Sequence, residues 1–260
     1  PEVDADVTVL AGDIGVGLQG IEWALQAFDR PVIYVMGNHE FNALAYSTRR
    51  DAQSHLRPRN ADNARQHAAF LAEYALDSPE YQDVMQWFST LPLWLDLGDL
   101  RVIHACWDRD TISRISQHFD GARLTDTLLR QASTKGRQEY LDVETLLKGK
   151  EIPLPDGHSY RDRYGKERHH IRIRWWDRKE NTYRGKFLGM REWETHIPDD
   201  EIRGDHGIVY AHSEPPVFLG HYWLSGMPAP LPVIQRPPRK FFRSSVMSYL
   251  VNSIAPCGSR

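Results

Sequence analysis

The sequence holds only two cysteines, Cys106 and Cys257, far apart and in no paired spacing. That argues against a disulfide framework or a cysteine zinc site and favours a reducing, cytoplasmic setting. No apolar run approaches the roughly 18 residues of a membrane span, so a water-soluble chain is expected. No charged segment followed by an apolar stretch opens the chain, so no secretory signal is visible. The first residue is Pro1 rather than methionine, which suggests that native residues lie upstream. Acidic side chains are missing from residues 231–260, where Arg236, Arg239, Lys240, Arg243 and Arg260 make a basic, proline-containing tail. Such an end is expected to be solvated and is assigned no function. There is no internal repeat.

What remains is an ordinary globular composition, 41% hydrophobic and 26% charged with a net charge of −3 over 260 residues. This is enough for one large α/β domain with insertions. Residues 1–230 are read as that domain, with 110–170 as an accessory insertion. A continuous apolar run, Val7-Thr8-Val9-Leu10-Ala11, stops at Gly12-Asp13, and a second, Val32-Ile33-Tyr34-Val35-Met36, stops at Gly37-Asn38-His39-Glu40. Neither alternates, so both read as buried strands; helical spacing over 18–28 makes the opening a strand-helix-strand crossover with a parallel pair. Residues 41–61 read as a loop with a helical start, and 62–76 and 79–89 as helices. The runs 91–97 and 100–104 form a hairpin across Gly98-Asp99. Residues 111–150 are helical, 153–170 are a mobile insertion, 171–176 alternate as a strand and 177–214 are loop. The last strand, 215–221, ends in Gly220-His221.

Asp13, Asn38 with His39, His104 and His221 each sit just beyond an apolar run. Taken singly, a strand-end histidine is usually a hydrogen-bonded structural residue, and Asp13 alone would serve as a helix N-cap. Four strand ends that each deliver such a group reverse that reading. In open α/β sheets the edge beyond the strand carboxyl ends is where ligands sit. A carboxylate, an amide oxygen and two imidazoles suit Mn, Fe or Zn rather than calcium. A cation so held suits hydrolysis of a phosphate ester.

The ordered set Gly12-Asp13, Gly37-Asn38-His39-Glu40, His104 and Gly220-His221 resembles the calcineurin-like metallophosphoesterase superfamily. Val102-Ile103-His104-Ala105-Cys106-Trp107 and the single histidine of Gly220-His221-Tyr222-Trp223 look most similar to its protein-phosphatase and diadenosine-tetraphosphatase branch. The resemblance implies a four-layer α/β sandwich, two mixed β-sheets packed face to face between helices. It implies hydrolysis of a phosphate ester or nucleoside polyphosphate by attack of a metal-bound hydroxide, with two divalent ions. Asp13 would bridge them, and Asn38, His104 and His221 would complete the second site. His39 would contact substrate and protonate the leaving oxygen, held by a nearby carboxylate, while Glu40 orients the turn.

Two motifs of the family are absent. No Asp-x-His precedes Asp13, so only one complete metal site is visible, and a catalytically weak or inactive domain that binds metal or phosphate is the alternative reading. No Asp-Arg-Gly follows Gly12-Asp13, which leaves Arg174 or Arg101 as the substitute phosphate ligand. Trp107, Trp175, Trp176, Tyr222 and Trp223 are read either as an aromatic rim that stacks a nucleobase or as core, with Trp223 taken as substrate-binding. The implied partner is a small phosphorylated substrate or nucleotide, with a phosphoprotein also open. Neither a membrane nor a nucleic acid is favoured.

Overall fold

Two strands delivered by short apolar runs set the position of everything that follows. The structure, a computed structural model, describes residues 8–13, 32–162, 165–177, 179–204, 206, 210 and 213–222. Strand β1 (Thr8–Leu10) pairs in parallel with β2 (Val32–Tyr34), Thr8 opposite Val32 and Leu10 opposite Tyr34. The expected helix over 18–28, Trp223 and the basic tail lie outside the described residues.

Beyond β2 the chain stays extended and fully buried at Val35 and Met36. The Val35 N–H donates to the Leu10 carbonyl at 3.0 Å and the Met36 N–H to the Pro92 carbonyl at 2.8 Å. Helix α1 (Asn38–Ser47) starts at once after Gly37, so the loop expected over 41–61 begins only at Thr48. Helices α2 (Ala61–Glu73) and α3 (Pro79–Thr90) follow, close to their sequence bounds. The reason is local: Asn60 and Ser78 each accept a backbone N–H three residues on, and Pro79 occupies the first helical turn of α3, where its missing N–H costs nothing.

Strands β3 (Trp94–Asp96) and β4 (Arg101–Ile103) form the expected antiparallel hairpin, with Gly98 at φ +83° in its turn. Strand β9 (Val217–Leu219) then pairs in parallel with β4, so that β4 lies at the centre of a three-stranded sheet ordered β3-β4-β9. Helices α4 (Arg109–His118), α5 (Asp126–Ala132) and α6 (Gln138–Lys148) fill the chain between. Arg114 on α4 donates through Nη2 and Nε to the buried Asp142 carboxylate on α6, at 2.6 and 3.2 Å. The Leu146 carbonyl of α6 receives the Ala105 N–H at 3.0 Å, which holds the chain just past β4.

The chain divides into two compact units. One runs up to Lys148 and resumes at Val217; the other takes Gly149–Pro216. In the second unit β5 (Glu151–Pro153) pairs with β8 (His170–Arg172), and β6 (Tyr160–Arg161) with β7 (Glu167–Arg168), both antiparallel. Residues 153–170, expected as a mobile insertion, therefore carry strand structure. Polar side chains hold it: Asp162 takes both Nε and Nη2 of Arg168, and Ser159 donates to Glu167. The strand expected over 171–176 ends at Arg172, because the Trp175 N–H turns back onto the Ile173 carbonyl at 2.9 Å. Two single-turn helices, α7 (Tyr183–Lys186) and α8 (Arg191–Glu194), lie in what reads as loop. Ile152, Leu154, Ile171, Ile173, Tyr183, Phe187 and Ile197 make this unit's own core.

The architecture is thus mixed α/β, with helices and several small sheets. No helix among the described residues is long and apolar enough to cross a membrane. Because Ile171 is fully buried in a small core, Ile171→Ala is expected to cost about 2–5 kcal/mol and Ile171→Val about 0.5–1.5 kcal/mol. Urea unfolding followed by tryptophan fluorescence checks both values, Trp175 and Trp176 being buried reporters in the same unit.

Candidate metal centre

Four chain segments bring polar groups to one point of the first unit. Asp13 follows β1, Asn38 opens α1 after β2, His104 follows β4 directly and His221 follows β9 by one glycine. Parallel pairing of β1 with β2 and of β4 with β9 puts these carboxyl-terminal ends on common edges. The Gly220 N–H then donates to the His104 carbonyl at 3.0 Å. A Cβ on Gly220 would meet the Ala11 carbonyl oxygen at 2.9 Å, so the ends of β1 and β9 touch.

The approach of the first two turns is closer still. A Cβ on Gly12 would lie 2.6 Å from the Gly37 Cα and 2.7 Å from His104 Nδ1; one on Gly37 would lie 2.4 Å from Asp13 Oδ1. Only glycine fits at either place. Glu40 seals the junction: its buried carboxylate accepts the Gly37 N–H at 2.8 Å and the Asp13 N–H at 3.1 Å. Burial pushes the Glu40 carboxyl upward, and the charge of Asp13 adds to this; His104 and the backbone donors work the other way. The expected role of Glu40 as the group that orients the turn matches these contacts.

Asp13 and His221 both adopt left-handed backbone, with φ of 53° and 62°, just after a glycine. Among described non-glycine residues only Asp77 shares that conformation. Such backbone is strained for a residue with a side chain and persists where surrounding structure determines it. Here it turns both donors towards His104.

His104 is fully buried and its tautomer follows from its partners. Nδ1 lies 2.5 Å from the Ala11 carbonyl, which can only accept, so Nδ1 carries the proton. Nε2 then faces His221 Nδ1 and Asn38 Oδ1, each at 3.1 Å, and Asp13 Oδ2 at 3.2 Å. Nε2 is thus surrounded by a carboxylate oxygen, an amide oxygen and an imidazole nitrogen, groups of the kind that coordinate a transition-metal ion.

A divalent cation suits that set of groups. Ligands at about 2.0–2.2 Å from a cation stand roughly 3.0–3.5 Å apart, the spacing seen around His104 Nε2. Ligand atoms of Asp13, His104 and His221 all lie within 4.8 Å of one another. The residues present fit a metal ion, and Asp13, Asn38, His104 and His221 would hold it. The Ala11 carbonyl supplies the outer hydrogen bond that fixes a ligating imidazole. Among the described residues no second such group is found.

The remaining predicted residues are placed as follows. His39, half-exposed at the start of α1, has Nε2 at 4.0 Å from Asp13 Oδ2, and its N–H donates to Asp13 Oδ1 at 3.1 Å. Asp13 is therefore the carboxylate beside His39. Arg174 belongs to the second unit, where Nη2 donates to the Gly185 carbonyl and Nε faces Asp177 at 3.6 Å. Arg101 pairs with Asp96 at 2.8 Å and lies over the Trp107 ring. Trp107, Trp175, Trp176 and Tyr222 are all buried, which corrects the rim reading for these four: they are core. Two participants carry no sequence signal of their own. The Ala11 carbonyl acts through backbone, and Arg57, taken up below, lies in a polar stretch that offers no pattern.

Compared with known proteins, the chain matches no family model and no curated protein.

Burial works to raise the Asp13 carboxyl, but the charge and hydrogen bond of His104, and then His39, outweigh it and hold it well below the usual range. Burial likewise works to lower His104, and Asp13 outweighs it, so His104 is raised above the ordinary histidine range. A raised histidine stabilises the fold below its unfolded value and loses that contribution as pH rises through the folded value. With chelator present, the melting temperature is therefore expected to fall as pH rises from about 6.5. Affinity for Zn²⁺ or Mn²⁺ should rise over the same interval, because cation and proton compete for Nε2. Calorimetric melts and metal titrations at matched pH values test the opposed signs; His104→Ala should abolish metal binding.

Proposed function

We propose that the chain is a metal-dependent phosphoesterase of the calcineurin-like type, built on a four-layer sandwich and acting on a phosphate ester or nucleoside polyphosphate. The observation that supports it most directly is the meeting of Asn38 Oδ1, His221 Nδ1 and Asp13 Oδ2 at His104 Nε2, each from the end of a different segment. A divalent cation, Mn, Fe or Zn, supplies Lewis acidity towards a phosphoryl oxygen and towards water.

The chain's own groups account for the rest of the reaction. His39 stands half-exposed beside the metal ligands, with Asp13 Oδ2 4.0 Å from its Nε2. It is the group placed to give a proton to the leaving oxygen, a task for which imidazole suits neutral pH. Glu40 and the two glycines keep the ligand-bearing turns from moving as charge develops, a preorganisation of the kind that lowers reaction barriers.

A second reading, a catalytically weak or inactive domain that binds metal or phosphate, is favoured by one observation. The described residues hold one ligand group rather than two. Metal analysis with hydrolysis of p-nitrophenyl phosphate separates the readings. About two ions per chain with turnover supports the enzyme, whereas one ion or none without turnover overturns it. His39→Ala is expected to keep its metal and lose roughly 10²–10⁴-fold in kcat; unchanged kcat in that variant would remove His39 from the mechanism.

A further inference from the structure

Arg57 is a half-buried cation that the metal centre does not use, yet helix α1 ties it to that centre. Residues 38, 42 and 45 form one stripe of α1, at i, i+4 and i+7. Asn38 gives its amide oxygen to the cluster at His104. One turn further on, Asn42 Oδ1 accepts Arg57 Nη1 at 2.9 Å, and the Ala45 carbonyl accepts the Arg57 backbone N–H at 2.8 Å. The guanidinium is thus anchored at a residue about 6 Å of helix axis beyond Asn38.

Its charge is unanswered at close range. Nη1 and Nη2 reach only neutral oxygens, Asn42 Oδ1 and Gln66 Oε1, the latter at 2.6 Å, and Nε is buried with no acceptor. No carboxylate among the described residues forms an ion pair with Arg57; Glu144, whose charge reaches it, is paired with Lys148. Five donors are available to a guanidinium and two are taken here. Buried arginine is normally matched by an anion, because an uncompensated charge is costly away from water.

A histidine also lies close to this stretch of α1. His67 is buried with its ring edge-on to Tyr46 at 4.8 Å. Burial disfavours its protonation, a hydrogen bond with the Asn42 backbone works the other way, and the charges of Arg57 and His39 add to the effect of burial. His39 itself lies three residues before Asn42, on an adjoining position of the same helix face.

We propose that Arg57 forms an oxyanion subsite one helical turn along α1 from the metal centre, taking a second phosphoryl group of a polyphosphorylated ligand. The placement of the first phosphoryl group rests on the phosphoesterase reading, whereas the subsite itself is a matter of charge and can be measured without metal. Arginine suits the task, since its planar fork matches phosphate oxygens in pairs. Neutral Asn42 and Gln66 hold the fork without cancelling its charge.

The test uses inorganic tripolyphosphate and the whole chain in chelator, with binding read by isothermal titration and by the shift in melting temperature. Wild-type protein should bind and be stabilised. Arg57→Gln should weaken binding roughly tenfold or more, and Arg57→Lys, which keeps charge without the fork, should weaken it less. Should Arg57→Gln fail to fold, Arg57→Lys decides alone. Absence of binding by wild type, or unchanged affinity in a folded variant, overturns the subsite whether or not the protein hydrolyses phosphate esters. Binding that depends on Arg57 in a protein without turnover upholds the subsite and overturns only the phosphoesterase reading.

Discussion

The carboxylate of Glu40 accepts one backbone N–H from Gly37 and one from Asp13, groups that belong to two turns distant in sequence. A carboxylate out of water is expensive unless its lone pairs are filled. Here the donors are main-chain groups at positions where only glycine permits the approach, so the clamp and the glycines depend on each other. With Glu40 occupied in this way, Asp13 is left free to turn its own oxygens to His104 and His39. The two acids differ in environment and therefore in task. One is buried against backbone donors, and the other is partly exposed and held ionised by imidazoles.

His104 carries the constraint into the second sheet. It follows the central strand β4 and has no exposed surface, and its Nδ1 proton is spent on the Ala11 carbonyl. That bond links the end of β1 to the end of β4 and leaves Nε2 as the point on which three polar side-chain atoms converge. The left-handed backbone at Asp13 and His221 belongs to the same design, because an extended chain there would carry both donors away from Nε2. A rigid scaffold that holds two ligand-bearing turns in strained backbone is what a preorganised cation site requires.

Several elements are legible from residues near in sequence. The unbroken apolar runs before Gly12 and Gly37 announce β1 and β2, Gly98 announces the hairpin, and Asn60 and Ser78 announce the starts of α2 and α3. Other features rest on distant partners and leave little local trace. Strand β9 pairs with β4 although the whole second unit lies between them in chain order. The strands within 153–170 are held by Asp162 with Arg168 and by Ser159 with Glu167, side chains that read as loop because no apolar period marks them. Aromatic content is equally ambiguous: the same composition serves a stacking rim or a core, and burial assigns Trp107, Trp175, Trp176 and Tyr222 to core. Arg57 lacks any pattern, and its interest lies in the missing counter-charge, a property of its surroundings.

The sequence by itself determined which groups are available at the centre and on which strand ends they stand, because strand and turn propensities act over a few residues. Only the tertiary structure decided that Asp13, Asn38, His104 and His221 meet. Their meeting depends on parallel pairings and on backbone approaches at Gly12 and Gly37 too close for any side chain. Those are long-range events, in which the free energy of burying Glu40 and His104 with their partners selects one arrangement from many that the local patterns would allow.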